Sequence, residues 1–123
     1  MEVTTAGGTD VGFVYLPVDI PSQIAGMQQK LKALSFCYSG AANNTVGPIA
    51  GIDVIQIRQV NKMSESTLLN QTYPSYITKE NECVNVAADT PVEIEGSIWI
   101  MFRVIVSNTP LKFGEVKLTF VND

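Results

Sequence analysis

Residues 96–108 (GSIWIMFRVIVSN) are apolar at almost every position, whereas residues 113–121 (FGEVKLTFV), just beyond them, alternate apolar with polar. A short apolar run of the first kind suits a strand covered on both faces, and an alternating run suits one with a dry face and a wet face. Adjacent in sequence, the two describe the middle and the flank of a layered β-structure. Gly114 breaks the alternation of the second run, which predicts a bulge there before the strand settles its dry side on the core.

The rest of the chain reads in the same way. Residues 11–18 (VGFVYLPV) are again apolar on both faces, with Phe13, Tyr15 and Pro17 on one and Val14, Leu16 and Val18 on the other. Pro17 has no N–H to give, which places the end of that strand near a sheet edge. In residues 21–34 (PSQIAGMQQKLKAL), Ile24, Met27, Leu31 and Leu34 recur at helical spacing behind a Ser22 cap, but Gly26 costs such a helix about 1 kcal/mol. From there Leu34, Phe36 and Tyr38 alternate with Ala33, Ser35 and Cys37 as far as Ser39-Gly40. The expectation is at most one short helical turn near 22–28, followed by a strand at about 29–39.

Residues 40–51 (GAANNTVGPIAG) form a glycine-rich loop, 52–60 (IDVIQIRQV) a strand, and 61–66 (NKMSES) its turn. Short strands are expected at 68–73, 76–78, 82–86 and 92–95, set off by Tyr73-Pro74-Ser75, by Lys79-Glu80-Asn81 and by residues 87–91. About eight short strands without a long helix predict an all-β fold, an antiparallel β-sandwich with jelly-roll topology preferred over an immunoglobulin-like one. At 123 residues the chain is one domain, and folding should bury roughly two-thirds of the surface its unfolded chain exposes. Residues 1–10 (MEVTTAGGTD) read as a flexible arm, free or exchanged onto a neighbouring subunit, and 11–123 as the sandwich.

Composition limits what such a sandwich can do. The net charge is −4 and the eight basic residues are scattered, so the clustered cations that grip a phosphate backbone are missing and nucleic acid is not an expected partner. Residues 1–10 hold neither a basic segment nor the apolar core of a secretory signal, and no run approaches the roughly 20 apolar residues of a membrane span. No membrane partner is therefore expected. Cys37 and Cys83 leave two readings, a pair of buried free thiols, which is preferred, or one disulfide between the sheets. The sequons Asn43-Asn44-Thr45 and Asn70-Gln71-Thr72 carry little weight without a sign of secretion.

There is no histidine, which removes the commonest general base, the usual zinc ligand and every Ser-His or Cys-His nucleophile pair. Two cysteines without C-x-x-C spacing do not make a thioredoxin-like pair or a structural zinc site. Gly7-Gly8-Thr9 lacks the Gly-Lys-Ser/Thr that completes a phosphate loop. The carboxylate pairs Glu93/Glu95 and Glu80/Glu82 each share a strand face but flank turns, where solvated carboxylates are ordinary. Asp53, Asp89, Glu93 and Glu95 could offer oxygen to calcium, but no D-x-D-x-D-G pattern organises them. The expectation is a protein that is not an enzyme, with no catalytic residues, metal or cofactor.

Two binding features remain. Tyr73 and Tyr76 around Pro74 suit a stacking platform for a sugar or a peptide. More weight falls on the surplus of apolar surface, because a strand in a two-layer sandwich turns only one face to the core. Trp99, Met101, Arg103 and Ile105 share the second face of their strand, and with Val14 and Leu16 they are the candidate interface. The cover for it is either a neighbouring chain or, within the chain, the arm or the 40–51 loop. The function expected is that of a structural or interaction protein, a homo-oligomer (a trimer or larger) or a subunit joined to other assembly subunits. A carbohydrate- or peptide-binding module is the alternative. In layout the chain is similar to the minor capsid, decoration and fibre-head modules of virions, a resemblance of architecture and not of motif. It implies a virion or cell-surface setting, with the soluble cytoplasm as the other compartment the sequence allows.

Overall fold

A computed structural model describes residues 2–4, 9–18, 23–24, 27–42 and 49–121, and no helix occurs among them. Among the described residues ten strands follow in order: β1 (Glu2–Val3), β2 (Thr9–Val18), β3 (Gln23–Ile24), β4 (Met27–Gln28), β5 (Lys30–Ser39), β6 (Ile49–Asn61), β7 (Ser64–Ile77), β8 (Glu82–Glu93), β9 (Ser97–Ser107) and β10 (Leu111–Val121). Two antiparallel sheets of four strands, ordered β1-β10-β5-β8 and β2-β9-β6-β7, form the sandwich; β3 and β4 make a small separate ribbon.

The pairing follows one rule. β6 pairs with β7, β5 with β8, β2 with β9 and β1 with β10, so the two halves of the chain pair as the arms of a single long hairpin. Rolling that hairpin up adds the β10–β5 and β9–β6 ladders. A hairpin rolled in this way is a jelly roll, as expected.

The core explains why these segments pair. On β9 the side chains of Ile98, Ile100, Phe102, Val104 and Val106 are all buried on the inner face. Opposite them, Phe36 and Tyr38 of β5 and Phe113 of β10 reach across the gap. Phe102 meets Phe36 edge-on at 5.1 Å between ring centroids and Phe113 at 4.8 Å, both within the favourable range for aromatic pairs. Bulges keep the strands in phase with this core. At Asp53 the register of β6 slips against both neighbours, so that Ile52 and Ile55, three apart, are both buried. The expected bulge at Gly114 is present: Phe113 pairs with Tyr38 and Val116 with Phe36, leaving one extra residue on β10.

Several sequence expectations change. The helical turn near 22–28 is replaced by the β3–β4 ribbon, in which Ile24 pairs with Met27. A spacing of three suits a tight hairpin as well as a helical turn, and residues 25–26 between them, including Gly26, lie outside the described residues. The short strands expected at 68–73 and 76–78 are one strand, β7, and those at 82–86 and 92–95 are one strand, β8. Their turn signals mark bulges instead. Ile52 pairs with Ile77 and Val54 with Thr72, so residues 73–76 stand out of the ladder; Leu31 pairs with Val92 and Ala33 with Ala87, so residues 88–91 do the same. The segment read as an arm contributes to both sheets, β1 to one and the start of β2 to the other, with residues 5–8 outside the described set.

Cys37 and Cys83 are neither buried free thiols nor a link between sheets. They form a disulfide between register partners of β5 and β8 in the same sheet, with Cys83 exposed. Alternation along those strands sends both cysteines outward, opposite to the buried Phe36 and Tyr38.

Candidate binding surfaces

The outer face of the β2-β9-β6-β7 sheet is the first candidate. Register alignment places Pro17, Trp99 and Arg58 in one row across it, then Tyr15, Met101 and Gln56, then Phe13, Arg103 and Val54, then Val11, Ile105 and Gly51. The face changes character across its width. On β2, Val11, Phe13 and Tyr15 are 55%, 56% and 57% exposed. On β9, Met101 is buried and Trp99, Arg103 and Ile105 are half-buried. Towards β7 the surface turns polar: Gln56 donates to Asn70 at 2.9 Å and Arg58 pairs with Glu65.

Of the residues predicted for this surface, Trp99, Met101, Arg103 and Ile105 do share the outer face. Val14 and Leu16 do not: they are half-buried and pack against the core, and their neighbours Val11, Phe13 and Tyr15 take the outer face. Both faces of residues 11–18 are apolar, so alternation separates the two sets without saying which one points inward. On that outer face the rings of Phe13 and Tyr15 lie 6.2 Å apart between centroids.

Arg103 finds its partner inside the chain. Its Nη2 lies 3.3 Å from Oδ2 of Asp53, the residue that the β6 bulge inserts beside it. The loop proposed as cover for Trp99 is anchored elsewhere. Ala41 and Ala50 bridge at its base, and Ala50 pairs with Val106, seven residues along β9 from Trp99, roughly 24 Å at strand rise. Residues 43–48 of that loop, with the sequon at Asn43, are outside the described set.

The second candidate lies at the opposite edge of the sandwich, where the chain crosses from β7 to β8. The 73–76 bulge brings Tyr73 and Tyr76, both half-buried, to a cleft of about 510 Å³ that Thr78, Lys79, Glu82 and Val84 also line. Sequence reasoning named the tyrosines and missed the polar end. There the buried Tyr38 hydroxyl donates to Glu82 Oε1 at 2.6 Å and accepts from the Lys79 backbone N–H at 3.3 Å. Lys79 Nζ stands 3.4 Å from Glu82 Oε2. The hydrogen bond from Tyr38, with help from Lys79, holds the Glu82 carboxyl below its usual range. Burial and the bond to Glu82 push the Tyr38 phenol above its own, and burial raises Tyr73 as well. Only the run of polar residues at 79–82 hinted at this in the sequence.

The other candidates stay apart. Glu93 and Glu95 are exposed on either side of buried Ile94, and Glu93 pairs in register with Lys30. Among the described residues no three of His, Cys, Asp and Glu converge as a cation site would require, and the potential calcium ligands are not gathered. Compared with known protein families, characterised proteins and solved structures, the chain matches none.

Proposed function

We propose that the chain is a non-enzymatic structural subunit that self-associates through the β2 edge of its sandwich. One observation carries this reading: among the described residues β2 is the least obstructed sheet edge, its one proline, Pro17, standing at the end of the strand. Sheet edges with unpaired backbone groups recruit other strands, and proteins usually blunt them with bulges, proline, charge or brevity. β7 carries Pro74 in its bulge, and β8 carries Pro91 in its own. β1 pairs over two residues, and β10 beyond it has the Gly114 bulge and the charged pair Glu115 and Lys117. β2 runs ten residues in unbroken register with β9, contains one charged residue, Asp10, and exposes Val11, Phe13 and Tyr15.

A second copy is the partner this strand suits best. Paired antiparallel across a two-fold axis at Phe13, two β2 strands set Val11 against Tyr15 and Tyr15 against Val11 on the same outer face. The apolar halves of both outer faces then join, the polar β7 margins stay apart, and Pro17 falls at the end of the ladder. The joined face carries Phe13, Tyr15 and the half-buried Trp99 and offers a surface on which further subunits can stack. Assembly into a virion shell or a cell-surface array fits this behaviour by analogy of fold.

Light scattering on the eluting protein tests the reading. The wild type is expected as a dimer or larger species, and Phe13→Lys as a monomer with an unchanged far-ultraviolet circular-dichroism spectrum, since Phe13 is exposed in the single chain. A wild type that stays monomeric at high micromolar concentration overturns the proposal.

A further inference from the structure

The cleft at the β7–β8 edge has an apolar side and a polar end that the self-association of β2 does not use. Its volume of about 510 Å³ falls within the roughly 300–1,000 Å³ of small-ligand sites. Two tyrosines flank it, raised out of the β7 ladder by the 73–76 bulge and only half-covered. Such rings offer flat apolar faces with a hydroxyl at the rim.

The polar end is fixed before any ligand arrives. Tyr38, 2% exposed, locks the Glu82 carboxylate through a 2.6 Å hydrogen bond, and Tyr38 is itself held by the Lys79 backbone. An ionised carboxylate has about four acceptor positions, and Tyr38 and Lys79 occupy two of them. The Lys79 ammonium, 78% exposed, likewise keeps donors to spare. The cleft therefore presents a fixed acceptor beside a donor, with no net charge between them.

That combination selects among ligands. An anion drawn to the Lys79 ammonium meets a like-charge penalty from Glu82, and a cation drawn to Glu82 meets one from Lys79, so a single charge gains little here. A neutral ring bearing adjacent hydroxyls meets neither penalty: one hydroxyl donates to Glu82 while its neighbour accepts from Lys79. The C–H face of the same ring lies on tyrosine. We propose that this cleft is a binding site for a neutral oligosaccharide, stacked on Tyr73 and Tyr76 and bridged through vicinal hydroxyls between Glu82 and Lys79.

The full chain is applied to an array of neutral, sialylated and sulfated glycans, and each glycan retained is followed by calorimetric titration. Binding is expected to neutral glycans only. Tyr76→Ala and Glu82→Gln should each weaken it about tenfold or more, the scale of one lost stacking or hydrogen-bonding contact. Lys79→Ala, at a side chain that is mostly solvated, should weaken it without touching the fold. Retention of no glycan at millimolar concentration, retention of charged glycans alone, or full affinity in Lys79→Ala and Glu82→Gln would each overturn the proposal. Phe13→Lys, on the outer face of the β2 edge, should leave glycan affinity intact, so loss of self-association and loss of this site are read separately.

Discussion

Tyr38 shows how much one side chain can decide. It is a core residue by burial, packed 5.9 Å from Phe36 between ring centroids, yet its hydroxyl sets the ionisation of Glu82 at the surface. The phenol has a folded-state pKa above its unfolded value, so its contribution to stability is whole below about pH 10 and is lost as the pH rises beyond that. Glu82 is the opposite case: its folded value lies below the unfolded one of about 4.3, so its contribution is whole at neutral pH and is lost as the pH falls through the folded value. Tyr38→Phe is expected to move the Glu82 carboxyl, followed by carbon NMR, back up towards its ordinary range. The change should cost about 1–2 kcal/mol, because the Lys79 N–H loses its acceptor. An unmoved Glu82 titration would show that something other than the phenol holds it. None of this was legible in the sequence, where Tyr38 and Glu82 are 44 residues apart. The inner and outer sets of β2 were legible only as two sets, since burial and not alternation decides between Val14 and Phe13.

At the level of elements, the strands at 29–39, 52–60, 96–108 and 113–121 were plain from period and apolar content. The lengths of β7 and β8 were not. Proline and clustered polar residues mark a departure from the ladder, and local sequence does not tell a bulge, after which pairing resumes, from a turn that ends it. Pro74 and Pro91 both fall in segments of the first kind, on edge strands where a missing N–H faces no neighbour. The disulfide is the other element-scale feature, tying β5 to β8 across a sequence separation of 46 residues. Chain entropy for a loop of that size gives about 4 kcal/mol, which for a domain of this length lowers the melting temperature by roughly 10–20 °C on reduction. Because Cys83 is exposed, mild reductant should open the bond in the folded protein. Paired melts with and without reductant, with free thiols counted, check this; two free thiols with an unshifted melt would contradict it.

For the whole molecule, the mirror-order pairing makes five of the seven ladders among the described residues long-range, up to β1 against β10 at the two ends of the chain. Loop-closure entropy has to be met before such contacts form, so refolding is expected in the millisecond-to-second range typical of all-β sandwiches. Stopped-flow fluorescence of Trp99 reads this directly, and microsecond refolding would be inconsistent with the topology. The sandwich itself was legible because strand number, turn spacing and surplus apolar surface all pointed to it. The cleft was not, since it exists only where the roll brings the β7 bulge beside the start of β8. β2 and β7 also stand at opposite edges of one sheet. When two copies join at β2, seven strand spacings separate one β7 from the other, roughly 34 Å. If the β2 pairing and the sugar site proposed above both hold, such a pair is a two-pronged grip of set span: a surface displaying its sugars at that distance would hold both prongs at once and gain avidity, and one displaying them singly would not.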